Sequence, residues 1–258
     1  MRIATWNVNS LTARMPRVEE WLEYAQPDIL CMQETKVSNT AFPTMAFATL
    51  GYDTVNHGDG RWNGVAIASR VGLQHVRHGF DADADEQGCR LVAATCGGIR
   101  VHSVYVPNGR LVDSEFYLAK LQWLKELRRY LERNCDPRQK VLAAGDFNVA
   151  PEDRDVWDPA EVSGSTHVTE PERAALQSLE QWGLVDGFRQ LYPQDALYSW
   201  WDYRAGNFHK HKGMRIDLLL LSRPLADRCR YGLIDRNARK GKQPSDHAPV
   251  FVDVEIGD

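Results

Sequence analysis

Four carboxylates and a histidine carry the reactive potential of this sequence: Glu34, Asp146, Asp217 and Asp246, with His247 beside the last. Two carboxamides, Asn7 and Asn148, and one phenol, Tyr105, join them, and the set contains no cysteine. Oxygen donors of this kind, with positions left open, suit Mg²⁺ or Mn²⁺ and not zinc. With a second carboxylate such as Asp217 to fix its tautomer, His247 becomes a group that polarises a phosphate or moves a proton. Metal, histidine, phenol and basic loops together suit hydrolysis of a phosphodiester by a positioned water. Each residue alone has a plainer reading. A Gly-Asp pair after a strand is usually an ordinary turn, a strand tyrosine is usually half-buried, and a lone histidine is usually a satisfied core or surface residue. Their placement decides.

The apolar run 141–144 predicts a buried strand, after which Gly145 frees the backbone to turn sharply, so that Asp146 and Asn148 emerge on one side. Residues 3–6 predict a strand ending on Asn7. Pro16 then opens a helix whose Val18, Trp21, Leu22 and Ala25 share a face. Residues 29–32 predict a second strand, delivering Gln33 and Glu34 at its end. From 51 to 106 the text turns to β-branched pieces (52–55, 64–69, 73–78, 90–95 and 99–106), read as one antiparallel meander that ends on Tyr105. Helices are predicted over 114–133, with Tyr117, Leu121, Leu124 and Leu131 along the apolar stripe, and over 170–182. Asp217 begins the strand 218–221, and Asp246 and His247 lead into the strand 250–254. If these last two strands run antiparallel to the others, all the reactive groups converge on one edge of an α/β sandwich with helix-covered sheets. So many converging polar groups need a ligand to offset their desolvation.

The chain has 258 residues and no Pro/Gly/Ser-rich linker, which predicts one domain, 1–258. A net charge of −4 does not by itself mark a nucleic-acid protein. Its distribution matters more. Residues 203–216 hold Arg204, Lys210, Lys212 and Arg215 without an acid, and residues 236–245 hold Arg236, Arg239, Lys240 and Lys242 without one; both runs end beside the reactive groups. Five scattered cysteines with no Cys-x-x-Cys spacing predict reduced thiols. No apolar run approaches the roughly 20 residues that span a bilayer, so the expectation is a cytosolic protein without membrane contact.

The groups around Trp6 to Asn9, Gln33 to Lys36, Tyr105 to Gly109, Gly145 to Asn148, Ser199 to Arg204, Arg215 to Asp217 and Ser245 to His247 resemble the exonuclease III family of abasic-site endonucleases. The resemblance runs essentially end to end. It implies a DNase I-like four-layer α/β sandwich, two packed mixed β-sheets flanked by helices. It implies Glu34, helped by Asn7, as the principal Mg²⁺ ligand (Mn²⁺ as an alternative), with Asp246 in or just outside its shell. Asp146 would activate the attacking water, Asn148 and Tyr105 would hold the phosphate, and so would His247, oriented by Asp217. Trp200, Met214 and Ile216 would line a pocket for a flipped-out baseless sugar. Lys210, Lys212, Arg239 and Lys240, and more weakly Arg90 and Lys36, would grip DNA phosphates. The implied protein is a monomer acting on double-stranded DNA with abasic sites or blocked 3′ ends. It would cut 5′ to the abasic site to leave a 3′-hydroxyl, trim 3′ ends and show 3′→5′ exonuclease activity. Two rival readings remain: a phosphatase or phospholipid phosphodiesterase of the same superfamily, and a DNA-binding module without catalysis. The aromatic pocket weighs against the first and the full set of reactive side chains against the second.

Overall fold

Strands buried on both faces need apolar side chains at successive positions, and the runs read above meet that demand in two stacked sheets. The computed structural model describes residues 1–80, 88–194 and 196–256. Its strands are β1 (Arg2–Asn7), β2 (Ile29–Gln33), β3 (Asp53–His57), β4 (Val65–Ser69), β5 (Gln74–His78) and β6 (Leu91–Cys96), then β7 (Ile99–Tyr105), β8 (Val141–Asp146), β9 (Leu184–Asp186), β10 (Asp217–Ser222), β11 (Cys229–Ile234) and β12 (Val250–Val254). Its helices are α1 (Leu11–Ala25), α2 (Thr44–Thr49), α3 (Glu115–Asn134), α4 (Pro159–Val162), α5 (Glu170–Trp182), α6 (Gly187–Leu191) and α7 (Arg223–Ala226). One sheet has the order β11-β12-β1-β2-β4-β3 and the other β5-β6-β7-β8-β10-β9.

Alternation along each strand builds the layers. Ile3, Ile29 and Cys31 face the second sheet and meet Val101, Leu142, Ala144 and Leu219 there. Ala4, Trp6, Leu30 and Met32 face the other way, against Val18, Trp21 and Leu22 of α1, where Trp6 and Trp21 meet edge to face at 5.6 Å. On the far side Val104, Ala143, Leu218 and Leu220 pack on Leu124, Leu127 and Leu131 of α3 and Leu176 and Leu179 of α5. The result is a helix, sheet, sheet, helix sandwich of the DNase I-like kind. Among the described residues no helix is long and apolar enough to cross a membrane, and none of the five cysteines is in a disulfide.

Several local expectations are corrected. Pro16 lies inside α1 and does not open it. The turn before it is anchored non-locally, with the Ser10 and Leu11 amides donating to the Glu34 and Thr35 carbonyls at 2.7 and 2.9 Å. The segment 51–106 is not one meander, since β3 and β4 complete the first sheet while β5, β6 and β7 belong to the second. Gly145 is a strand residue, not a turn. A methyl group there would lie 1.8 Å from the Val104 carbonyl oxygen, so glycine is required by the close approach of β7. On α3, Lys120 is buried and Leu121 is only half-buried.

The directions of β10 and β12 are what the convergence argument required. β8 pairs parallel with β7 and antiparallel with β10, with Tyr105 and Asp217 each in register with Asp146. β1 pairs parallel with β2 and antiparallel with β12. Tyr105, Asp146, Asp217, Asn7 and Glu34 therefore share one edge.

The same packing buries His102 on β7, its Nδ1 2.9 Å from the Leu142 carbonyl and its Nε2 3.7 Å from Cys135 Sγ. Burial pushes its pKa down to about 4 in spite of that carbonyl. The ring is thus neutral in the fold and takes a proton more readily once unfolded. Its contribution to stability is present above pH 6.5, the ordinary histidine value, and is lost as pH falls toward 4, a loss of about 3 kcal/mol. Urea unfolding of the wild type and His102→Gln at pH 7 and at pH 4.5 checks this. The variant should lose less stability across that interval, and parallel losses would refute the assignment.

Candidate active site

Glu34 stands one residue past β2 in a left-handed conformation, φ 50°. Asn148, two residues past β8, has the same φ. Such a backbone costs a non-glycine residue about 1–2 kcal/mol, which marks both as positions held by their surroundings. Glu34 Oε1 accepts from Asn7 Nδ2 and from the Tyr105 hydroxyl, each at 2.9 Å, and Oε2 lies 2.9 Å from Lys36 Nζ. Asn148 is gripped on every side. Its carbonyl accepts from Lys120 Nζ at 2.6 Å and contacts His167 Nδ1. Its amide nitrogen donates to the Val106 carbonyl at 2.9 Å and to Asp146 Oδ2 at 3.3 Å, and its Oδ1 accepts from Asn108 at 3.2 Å.

Asp146 is buried at the centre. Its Oδ2 accepts from Asn7 Nδ2 at 3.0 Å, its Oδ1 from the Asn148 backbone at 2.9 Å, and His247 Nε2 stands 3.8 Å from Oδ2. The other ring nitrogen of His247, Nδ1, is 2.8 Å from Asp217 Oδ2, which also accepts from Ser199 Oγ at 2.6 Å. Burial raises the Asp146 carboxyl toward neutrality, the nearby Asp217 charge adds to the effect, and His247 opposes it. Burial disfavours charge on His247, but the carboxylates of Asp217 and Asp146 outweigh it and raise the imidazole far above its ordinary value. Tyr105 is held as a neutral donor by burial and by the charges of Glu34 and Asp146.

Among the described residues, Glu34, Asp146 and His247 form a group whose ligand atoms lie within 4.8 Å of one another. Two carboxylates, one of them desolvated beside a third, fit a divalent cation, because its charge would offset the burial of theirs. Asp246 is outside the group, with Oδ1 accepting from Asn9 at 2.9 Å and Oδ2 from Trp200 Nε1 at 3.1 Å. Asn7 turns its Nδ2 to the carboxylates and its Oδ1 to the Asn9 amide.

Beside His247 the anticipated pocket residues do meet. Trp200 bridges to both Met214 and His247, and Met214 and Ile216 form a small apolar cluster with Ala150, Val156 and Val162. His167 also faces the Trp200 ring, with centroids 6.4 Å apart.

The basic runs divide. Lys210, Lys240 and Lys242 are exposed, and Lys212 lies 3.9 Å above the Trp157 ring. Arg239, anticipated as a phosphate contact, is buried against Trp201, Tyr203 and Phe208 and donates to the Ser245 carbonyl, so it braces the His247 loop. Arg215 is also buried, paired with Asp155 at 2.7 Å and with Asp186 at 2.5 Å. Arg90 lies 4.5 Å from the Tyr105 ring centroid and bonds Asn63 at 2.9 Å.

Sequence reasoning missed Asn9, Asn108, Lys120, His167, Glu172 and Ser199. Asn9, Asn108 and Ser199 lay inside the motifs that carry the resemblance. Lys120 carried a signal of its own: it falls on the stripe of Tyr117, Leu124 and Leu127, where a lysine needs a buried partner, and Glu172 is that partner.

The profile of the endonuclease/exonuclease/phosphatase family matches residues 4–247. Exodeoxyribonuclease III of Haemophilus influenzae is 34% identical over 268 residues, covering 99% of this chain and all of the relative. An AP endonuclease structure from Archaeoglobus fulgidus is 41% identical with a TM-score of 0.96, over 99% of this chain and 100% of that one. A 3′ phosphatase, NExo, from Neisseria, bound to a product DNA hairpin, is 38% identical with a TM-score of 0.95 over the same shares.

Proposed function

The chain belongs to the endonuclease/exonuclease/phosphatase family and to its exonuclease III group, and from that premise we propose a DNA-repair nuclease that incises duplex DNA on the 5′ side of abasic sites. Trimming of blocked 3′ ends and 3′→5′ exonuclease activity use the same centre, since each is hydrolysis of a phosphate ester at a 3′ position. The observation that carries this reading is the convergence of Glu34, Asp146 and His247 beside the apolar cluster of Trp200, Met214 and Ile216. An apolar surface beside the reactive groups suits a sugar without a base, turned out of the helix.

Asp146 accepts the proton of the attacking water, a task for which a carboxyl raised toward neutrality is suited. His247, charged and oriented by Asp217, presents Nε2 to the phosphate oxygens. The neutral Tyr105 hydroxyl, which donates to Glu34 here, and the Asn148 side-chain amide, which donates to Val106 and Asp146, would exchange these acceptors for the same oxygens when the phosphate binds. Glu34, with Asp146 in reach, would hold Mg²⁺ or Mn²⁺, which would supply neutralisation of the phosphate charge. Asn7 steadies the carboxylates, and Asp246 positions Trp200 through its indole nitrogen. Lys210, Lys212 and Lys240, on the loops that lead to Asp217 and His247, would contact the phosphates of the duplex backbone.

Incubation with an abasic-site duplex tests the proposal. Incision should leave a 3′-hydroxyl, fall by about 10³-fold or more in EDTA, and return with Mg²⁺. Undiminished incision in EDTA would remove the metal from the mechanism, and no incision with any divalent cation would overturn the endonuclease reading. A parallel panel with a 3′-phosphate duplex and a plain recessed duplex ranks the three activities.

A further inference from the structure

Between the two sheets, the inward faces of β1, β2 and β7 are apolar until just beneath the catalytic edge. Toward that edge they read Ile3, Thr5 and Asn7 on β1, Ile29, Cys31 and Gln33 on β2, and Val101, Ser103 and Tyr105 on β7. Thr5, Gln33 and Ser103 are fully buried, and they bond to one another. The Thr5 hydroxyl donates to Gln33 Oε1 at 3.2 Å, Gln33 Nε2 donates to Ser103 Oγ at 3.3 Å, and the Ser103 hydroxyl donates to the Met32 carbonyl at 3.2 Å. The last two bonds pass from one sheet to the other. The bonds of the site cross the same gap. Tyr105, ending β7 of the second sheet, donates to Glu34, just past β2 of the first, at 2.9 Å, and Asn7 of the first sheet donates to Asp146 of the second at 3.0 Å.

Apolar burial is non-directional, so it resists separation of the sheets more than a small slide of one over the other. Hydrogen bonds are directional, and a short slide would part Tyr105 from Glu34. Ser103 lies two residues before Tyr105 on the same face of β7, and Gln33 immediately precedes Glu34. Stability alone does not call for polar groups here, since buried partners that bond only each other exchange for apolar groups of the same shape at little cost. Resting on the nuclease reading above, we propose that Thr5, Gln33 and Ser103 are positioning residues that hold the two sheets in the register at which the Tyr105 hydroxyl meets Glu34. They touch no substrate. Their effect on the reaction passes through Tyr105, whose phenol the rung aims at the place of the reacting phosphate.

Thr5→Val, Gln33→Met and Ser103→Ala together remove the rung, strand none of its side-chain donors and nearly keep its volume. Tm should move by less than about 4 °C, while kcat for incision falls by about ten- to a hundredfold and KM changes by less than about twofold. In a Tyr105→Phe background the same three changes should cost less than about threefold, because the contact they serve is already gone. An unchanged kcat, or equal factors in the two backgrounds, overturns the proposal. If the triple variant does not fold, Ser103→Ala alone carries the same comparison, with a loss of about threefold or more in kcat expected. A crystal structure of the variant gives a readout that needs no substrate: the 2.9 Å contact between the Tyr105 hydroxyl and Glu34 should be broken, and its survival overturns the proposal. A wild type that cuts no DNA with any divalent cation overturns the nuclease reading instead, and the crystal structure still decides the rung.

Discussion

Asp146→Asn should lower kcat by about 10²- to 10⁴-fold, the range for loss of a positioned general base, with little change in DNA affinity. The substitution keeps the side chain's shape and its acceptor for the Asn148 backbone amide at 2.9 Å, so the strand end stays in place. What disappears is the proton acceptor beside His247 Nε2. Single-turnover incision rates together with anisotropy titrations on uncut DNA separate the two effects. Near-wild-type turnover would remove Asp146 from the role of base, and lost binding would make it a structural or metal-holding residue instead.

The second large effect lies outside the reactive set. Lys120→Met should destabilise the fold by about 3 kcal/mol or more, because it strands the fully buried carboxylate of Glu172. In a chain of this size that corresponds to a Tm lower by roughly 10 °C. The loss also reaches the site, since Lys120 Nζ is a hydrogen-bond donor to the carbonyl that holds Asn148 in its left-handed conformation. At temperatures where the variant is still folded, kcat should fall more than KM rises, because a misplaced Asn148 affects the reacting phosphate and not the distant DNA contacts. Pairing it with Glu172→Gln tests the origin of the effect. The double variant should recover part of the stability lost in the single one, and simple additivity would mean that the two side chains act independently.

Much of this architecture was legible before any coordinates. The runs that became β1, β2, β8, β10 and β12 are apolar at successive positions because each is covered on both faces, and α3 and α5 show the spacing of helices covered on one. The edge strand β11 was not legible: Tyr231 and Arg230 are exposed, and its pairing with β12 is bulged, so no periodic pattern marks it. The meander failed for a related reason. Alternation within a strand is the same whichever sheet receives it, and only packing sends β4 to one sheet and β5 to the other.

The sequence by itself determined which side chains stand at the strand ends, because residue type and the length of an apolar run are local properties. It therefore named Asn7, Glu34, Tyr105, Asp146, Asn148, Asp217 and His247 without reference to their neighbours. The tertiary structure alone decided what those groups touch. It places Asp146 and His247 with Glu34 and engages Asp246 with Trp200 instead, and it withdraws Arg215 and Arg239 from the surface to brace the loops around Asp217 and His247. It also brings Lys120 under Asn148 from another element of the chain. Charge in a sequence is only a count. Whether a guanidinium reaches DNA or answers a buried carboxylate depends on desolvation and on partners up to 60 residues away, and those exist only in the folded molecule.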